Sequence, residues 1–138
     1  MIHEEICTYE VCKLAKEKGF PQQYDSLTHI YGGKDSFNVG IDLKYKKCEG
    51  TLFDISEWSP CLNDVTAPTQ SLLQRWLREE KNIHIAVFPN LRNSYEYDWI
   101  VYIKGEECWL PTYSALNDFD TYELALEDAL KYALENLV

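Results

Sequence analysis

The chain has 138 residues, a length typical of one domain. Tyr, Phe and Trp make up 14% of it, whereas disordered chains contain few aromatic residues. Its net charge of −10 at pH 7 opposes contact with nucleic-acid phosphates and anionic lipid, and it could attract a basic protein. We therefore expect a single packed domain over residues 1–138, with no nucleic-acid or membrane partner.

The sequence contains no run of 18 apolar residues, and the N-terminus shows no basic segment followed by an apolar core. Both observations favour a cytoplasmic protein. Five cysteines, an odd number without a Cys-x-x-Cys pair, are typical of reduced thiols in such a compartment.

The first half of the chain predicts one helix and, less clearly, some strands. Apolar residues at helical spacing indicate a helix over 4–18, which Gly19 would end. Alternation predicts a strand near 41–46 with a hairpin partner near 51–55. Residues 27–31 could form an additional, earlier strand, and 56–66 is interpreted as a loop.

The second half is easier to interpret. We predict a helix over 68–81 with Pro68 in its first turn, and a last helix over 121–137 with Asp120 as N-cap and Glu123 as capping-box partner. Three strands are expected between these helices, near 83–88, 97–104 and 108–110. Their connections are too short for parallel crossovers, so they should form an antiparallel meander. The predicted fold is α+β, with a C-terminal half in the order α-β-β-β-α.

That order matches the double-stranded-RNA-binding domain, which contacts RNA through basic residues at the start of its last helix. Here the corresponding segment carries Asp118, Asp120 and Glu123, and its first basic residue is Lys131. RNA binding is therefore a distant alternative. The Asp118-x-Asp120 pair could serve a divalent ion or acid–base chemistry, but capping and the helix dipole explain it more simply.

No pattern predicts a catalytic residue, a cofactor site or a metal site. His3 and Cys7 have i, i+4 spacing, but Cys12 would point elsewhere on the same helix. An enzyme remains the alternative function, with a pocket beside the sheet assembled from scattered residues such as His84, Asp98 and Tyr102.

Two features instead favour protein–protein contacts. Residues 106–138 contain one lysine and eight acidic residues, a net charge of −7, and both faces of the strand over 97–103 carry aromatic or aliphatic residues. A sheet with one helical layer usually leaves its second face polar. We expect the N-terminal half to cover that face, with a homodimer as the alternative.

The candidate interaction surface combines acidic residues of the C-terminal segment with aromatic residues of the central strand. Its members are Asp118, Asp120, Glu123, Glu127, Asp128, Tyr97, Trp99 and Tyr102. The competing interpretation is a solvated acidic face that only keeps the protein soluble. We predict a non-enzymatic accessory protein that binds a protein partner whose identity the sequence leaves open.

Several short segments resemble a group of small proteins without an assigned activity, common in Bacteroides-type gut bacteria and their phages and prophages. The segments are Lys16-Glu17-Lys18-Gly19-Phe20, Ala67-Pro68-Thr69, the run from Trp76 to Ile85, and Thr121-Tyr122-Glu123-Leu124-Ala125-Leu126-Glu127. The resemblance implies a mobile-element origin and a cytoplasmic setting, and it assigns no catalytic residue.

Overall fold

The computed structural model describes residues 3–22, 29–32, 49–54, 64–90, 96–105 and 119–138, and the backbone of 109–114. The chain forms two compact units, Ile6–Pro68 and Thr69–Val138 with Met1–Glu5. Within the described residues there are three helices and two antiparallel sheets of three strands each, which confirms the α+β class. The single domain over 1–138 stays a prediction.

Helix α1 of the Ile6–Pro68 unit spans Tyr9–Glu17, so the predicted start at residue 4 is wrong. Thr8 has extended backbone angles, and its hydroxyl accepts from the Val11 N–H at 3.4 Å, which makes it the N-cap. The residues before Thr8 make no turn of this helix. The predicted end is confirmed within a residue, since Gly19 follows with a φ of 97° that suits glycine.

The sheet of this unit has the order β2-β1-β3, formed by Leu52–Asp54, His29–Tyr31 and Val65–Thr66. The strand near 51–55 is therefore confirmed, and the expected partner near 41–46 lies outside the described residues. Its observed partner is β1, paired antiparallel with Ile30 opposite Phe53. The interpretation of 56–66 as a loop is wrong at its end, because β3 pairs with β1.

The core of this unit lies between α1 and the sheet. Val11, Cys12 and Ala15 are buried on the helix, and Ile30 is buried on the central strand. The Tyr31 hydroxyl donates to the Cys7 carbonyl oxygen at 2.7 Å, which gives a partner to a polar group that would otherwise be costly to bury.

Helix α2 of the Thr69–Val138 unit spans Gln70–Glu80, close to the predicted 68–81. Pro68 precedes the helix and is not in its first turn. Thr69 is the N-cap, with its hydroxyl accepting from the Leu72 N–H at 3.3 Å. Asn82 follows the helix with a φ of 56°, a left-handed conformation that Asn tolerates better than most residues.

The predicted antiparallel meander is confirmed. Its strands are β4, Ile83–Pro89; β5, Tyr97–Lys104; and β6, Trp109–Ser114, in the order β4-β5-β6. The third strand is longer than the predicted 108–110, and the β5–β6 register shifts between Val101 and Tyr102. In β4–β5, Ile85 lies opposite Val101 and Val87 lies opposite Trp99.

Helix α3 spans Tyr122–Asn136, close to the predicted 121–137. Its N-cap is Thr121, whose hydroxyl accepts from the Leu124 N–H at 3.1 Å. The predicted cap at Asp120 and the capping box with Glu123 are therefore wrong by one residue, because Thr121 still has extended backbone angles and the helix starts after it.

The core of this unit lies on the sheet face that packs against α3. Ile83, Ile85, Trp99 and Val101 are buried on the strands, and Leu73 and Leu77 are buried on α2. Six residues of α3 complete it: Ala125, Leu126, Ala129, Leu130, Ala133 and Leu134. Among the described residues, no helix is both long and apolar enough to cross a membrane.

Candidate interaction surface

The three aromatic residues of the predicted surface have different environments on β5. Trp99 is 1% exposed and belongs to the core, so it is not part of any surface. Tyr97 and Tyr102 are half-buried. Because side chains alternate along a strand, Tyr97 lies on the face that carries Trp99 and Tyr102 on the opposite face. The structure thus does not bring these three residues together.

The acidic residues of the predicted surface that the structure describes lie just before α3 and in its first half. Asp120, Glu123 and Asp128 are exposed and Glu127 is half-buried, while Asp118 lies outside the described residues. Acidic side chains at a helix N-terminus interact favourably with the helix dipole, so part of this clustering is structural.

Two of these carboxylates hold the unit together. Glu127 Oε2 accepts from Gln70 Nε2 at 2.7 Å, and the same amide donates to the Glu123 carbonyl oxygen at 2.9 Å. Asp128 Oδ2 accepts from the Trp99 indole N–H at 2.9 Å. These contacts join α3 to α2 and to β5, which gives Glu127 and Asp128 a structural role.

The other two carboxylates remain available. Among the described residues, the side chains of Asp120 and Glu123 have no hydrogen-bond or ion-pair partner. Tyr122 and Leu124, also in the first turn of α3, are 41% and 54% exposed and lie on different sides of the helix. We call these four residues the first-turn surface.

Leu124 was not among the residues selected from the sequence, although a signal for it existed. The core stripe of α3 contains Leu126 and Leu130, and Leu124 is out of phase with it at 100° per residue. It falls instead on the helix side that carries Asp128 and Glu135, both exposed. A leucine in the polar stripe of an amphipathic helix is not explained by core packing.

The first-turn surface is fixed by its surroundings. The Tyr97 and Tyr122 rings meet edge to face, with centroids 6.1 Å apart. Tyr97 also exchanges two backbone hydrogen bonds with Phe119, at 2.7 and 2.9 Å, just before the helix begins. Because backbone and ring contacts both hold this segment to β5, its exposed side chains project from an ordered support.

The residues considered for an enzyme do not converge. His84 and Tyr102 are directly opposite each other in the β4–β5 register. Asp98 lies on the same face but four residues along β5 from Tyr102, about 13 Å away at 3.3 Å per residue. Burial, followed by the positive charges of Arg78 and Lys104, lowers the pKa of His84 below its ordinary value. These surroundings favour a neutral imidazole.

The helical arrangement of His3 and Cys7 that was considered for a metal site is not formed. His3 and Cys7 both precede α1, so no helix presents them on one face. Cys7 and Cys12 are buried, and the Cys12 thiol lies 3.6 Å from the Cys7 carbonyl oxygen. Within the part of the chain that the structure describes, no three His, Cys, Asp or Glu residues are grouped so that they could hold a metal ion.

Comparison of the chain with protein-family models, with curated proteins and with solved structures found no match.

Proposed function

We propose that this chain is a non-enzymatic interaction protein that binds a basic partner protein through the first-turn surface. The observation that carries the proposal is the exposure of Leu124, 54%, next to two carboxylates without partners in the described structure. Apolar side chains rimmed by charge are typical of protein-binding sites.

The chemistry of the surface defines the class of partner. Tyr122 and Leu124 offer apolar area, and tyrosine is enriched at interfaces. Asp120 and Glu123 favour Lys or Arg on the partner and repel phosphate. The net charge of −10 extends this preference over the whole protein and would speed encounter with a basic protein at low salt.

The setting of this interaction follows from the resemblance to small proteins of Bacteroides-type bacteria and their phages. It supports an accessory role for a phage or other mobile element in the cytoplasm of such a host. The partner would then be a host or phage protein.

A quantitative pull-down from a Bacteroides-type host lysate tests the proposal, using three forms of the immobilised chain. The first is the wild type. The second is Asp120→Asn with Glu123→Gln, which removes two charges from the first-turn surface. The third is Glu80→Gln with Glu135→Gln, which removes two exposed charges elsewhere, on α2 and α3.

We expect at least one basic protein to bind the wild type and the third form equally, and to be lost from the second form. Leu124→Ser should weaken its capture as well, and higher salt should reduce it because exposed charges are screened. If every captured protein is retained equally by all forms, the first-turn surface is not a binding site.

A further inference from the structure

The edge of the sheet at β4 suggests a second interaction. In the order β4-β5-β6, strand β4 pairs with β5 on one side, and no other strand among the described residues pairs with it. Natural edge strands usually carry charged residues that discourage pairing with another chain. The sequence of β4 is Ile-His-Ile-Ala-Val-Phe-Pro, with no Lys, Arg, Asp or Glu. This edge therefore lacks the charged residues that usually discourage strand addition.

The register shows which backbone groups of β4 point away from β5. Lys104 N donates to the Asn82 carbonyl oxygen at 3.0 Å, and Asn90 N donates to that of Glu96 at 2.8 Å. Because hydrogen-bonded positions alternate in an antiparallel pair, the even-numbered residues of β4 bond to β5. The N–H and C=O groups of Ile85 and Val87 consequently point outward.

These outward groups are partly used already. The Ile85 carbonyl oxygen accepts from Gln74 Nε2 at 3.1 Å, so α2 covers that position. Pro89, the last residue of β4, has no N–H to donate. Among the described residues, the Ile85 N–H and both backbone groups of Val87 have no outward hydrogen-bond partner.

We propose that a second copy of this chain pairs with β4 antiparallel, with the two-fold axis at Val87. Each Val87 N–H then donates to the Val87 carbonyl oxygen of the other copy. Each Ile85 N–H faces the Pro89 carbonyl oxygen of the other copy. Between Ile85 and Pro89, this register lacks one bond per copy, from the missing Pro89 N–H to the Ile85 carbonyl, which Gln74 already satisfies. The edge is thus complementary to itself.

The side chains fit the same register. Ala86 of one copy lies directly opposite Phe88 of the other, on the sheet face opposite α3, and this occurs twice around the axis. Phe88 is 40% exposed and Ala86 is exposed, so both can be covered by such a contact. A large ring against a small methyl on each side of the axis packs without collision.

Charge does not oppose this arrangement locally. Among the described residues, the nearest acidic residue on the same face is Asp98, which lies on β5 opposite Phe88. The two Asp98 side chains would be separated by three strand spacings, about 14 Å. This exceeds the Debye length of about 8 Å at physiological salt, so their repulsion is largely screened.

Sedimentation velocity over a wide range of concentration tests the pairing. The wild type should approach twice the monomer mass of 16.2 kDa as concentration rises. Phe88→Lys places a charge in the contact, and Val87→Pro removes the central donor without touching the β5 ladder, so both should remain monomers. Leu52→Lys, the same kind of change at an exposed residue outside the contact, should dimerise as the wild type does. Circular dichroism of each variant confirms that it is folded.

Amide hydrogen exchange then locates the contact. When about 90% of the chains are dimeric, exchange at Val87 should slow about tenfold relative to dilute protein, because only the remaining monomer exposes that N–H. A wild type that stays monomeric throughout overturns the proposal. So does a dimer that persists in both variants, or one in which exchange at Val87 does not depend on concentration.

Discussion

The hydrogen bond between Trp99 and Asp128 joins the core strand β5 to the surface of α3, and its contribution to stability can be worked out. The indole N–H donates to the carboxylate at 2.9 Å, and the Trp99 ring packs on Tyr132 at 5.3 Å between centroids. A hydrogen bond to a charged group contributes about 1.5–3 kcal/mol when it is sheltered. Asp128 is exposed to water, which reduces the value to about 1–2 kcal/mol.

A double-mutant cycle with Trp99→Phe and Asp128→Ala isolates this term. Asp128→Ala alone also improves helix propensity, by up to about 0.7 kcal/mol, and so hides part of the loss. That gain is present in both backgrounds and cancels in the cycle. We expect Asp128→Ala to cost about 1–2 kcal/mol more with Trp99 present than with Phe, which has no N–H.

Urea unfolding followed by circular dichroism gives the four free energies, with the dependence on urea expected to be the same in all forms. Glu135→Ala is the matched control, because it removes another exposed acid from α3 and should change stability by less than about 0.5 kcal/mol in either background. A coupling below about 0.5 kcal/mol would show that water replaces the carboxylate at the indole without loss.

Three further outcomes are expected from the same unfolding measurement. Thr121→Ala should lower the free energy of unfolding by about 1 kcal/mol through loss of the α3 cap, and Asp120→Ala by less than about 0.5 kcal/mol. Asn82→Val should cost about 1–2 kcal/mol because the φ of 56° is unfavourable for a β-branched residue, while Asn82→Gly should be neutral or stabilising. Because the pKa of His84 is lowered in the folded protein, the unfolded chain binds the proton more tightly. The free energy of unfolding should therefore fall as pH drops from the ordinary pKa of 6.5 towards the lower folded pKa. The variant His84→Gln should lose this part of the pH dependence.

Periodicity identified the elements whose patterns are long. Strand β5 was predicted at its observed bounds, and α2 and α3 within two residues, because each repeats its burial pattern over two or more turns or pleats. Strand β3 has only two residues, too few for any period. The predicted start of helix α1 at residue 4 is too early because Cys7 continues the apolar stripe of the helix in the sequence, although it lies outside the helix in the structure.

What separates Cys7 from the helix is a long-range contact. Its N–H donates to the Pro68 carbonyl oxygen at 3.0 Å, far along the chain, and no local pattern reports such a bond. The exact N-cap residue of α3 is also beyond what the sequence predicts. Asp120 and Thr121 are both good N-cap residues, and only the backbone angles of Thr121 decide between them.

For the candidate surface, the sequence predicts which segment is acidic but not which of its side chains make contacts. Composition identified the acidic segment, but only the structure separates Asp128, which holds Trp99, from Asp120, which has no partner in the described structure. Tryptophan is a common interface residue, and that expectation fails here because alternation places Trp99 on the covered face of β5. A helical-wheel plot of the predicted α3 would have identified Leu124 as the apolar residue that lies outside the apolar core stripe.

On the side of β5 that carries β6, Phe119 extends the pairing by bonding to Tyr97, where the chain turns into α3. On the β4 side, Gln74 fills one carbonyl and Pro89 ends the strand, so the unused groups are confined to the stretch around Val87. In the register centred on Val87, a second β4 places its own Pro89 opposite the Ile85 carbonyl that Gln74 already bonds. An arbitrary extended segment would leave an N–H at that position without an acceptor, and this is why a second copy of the chain fits the edge better.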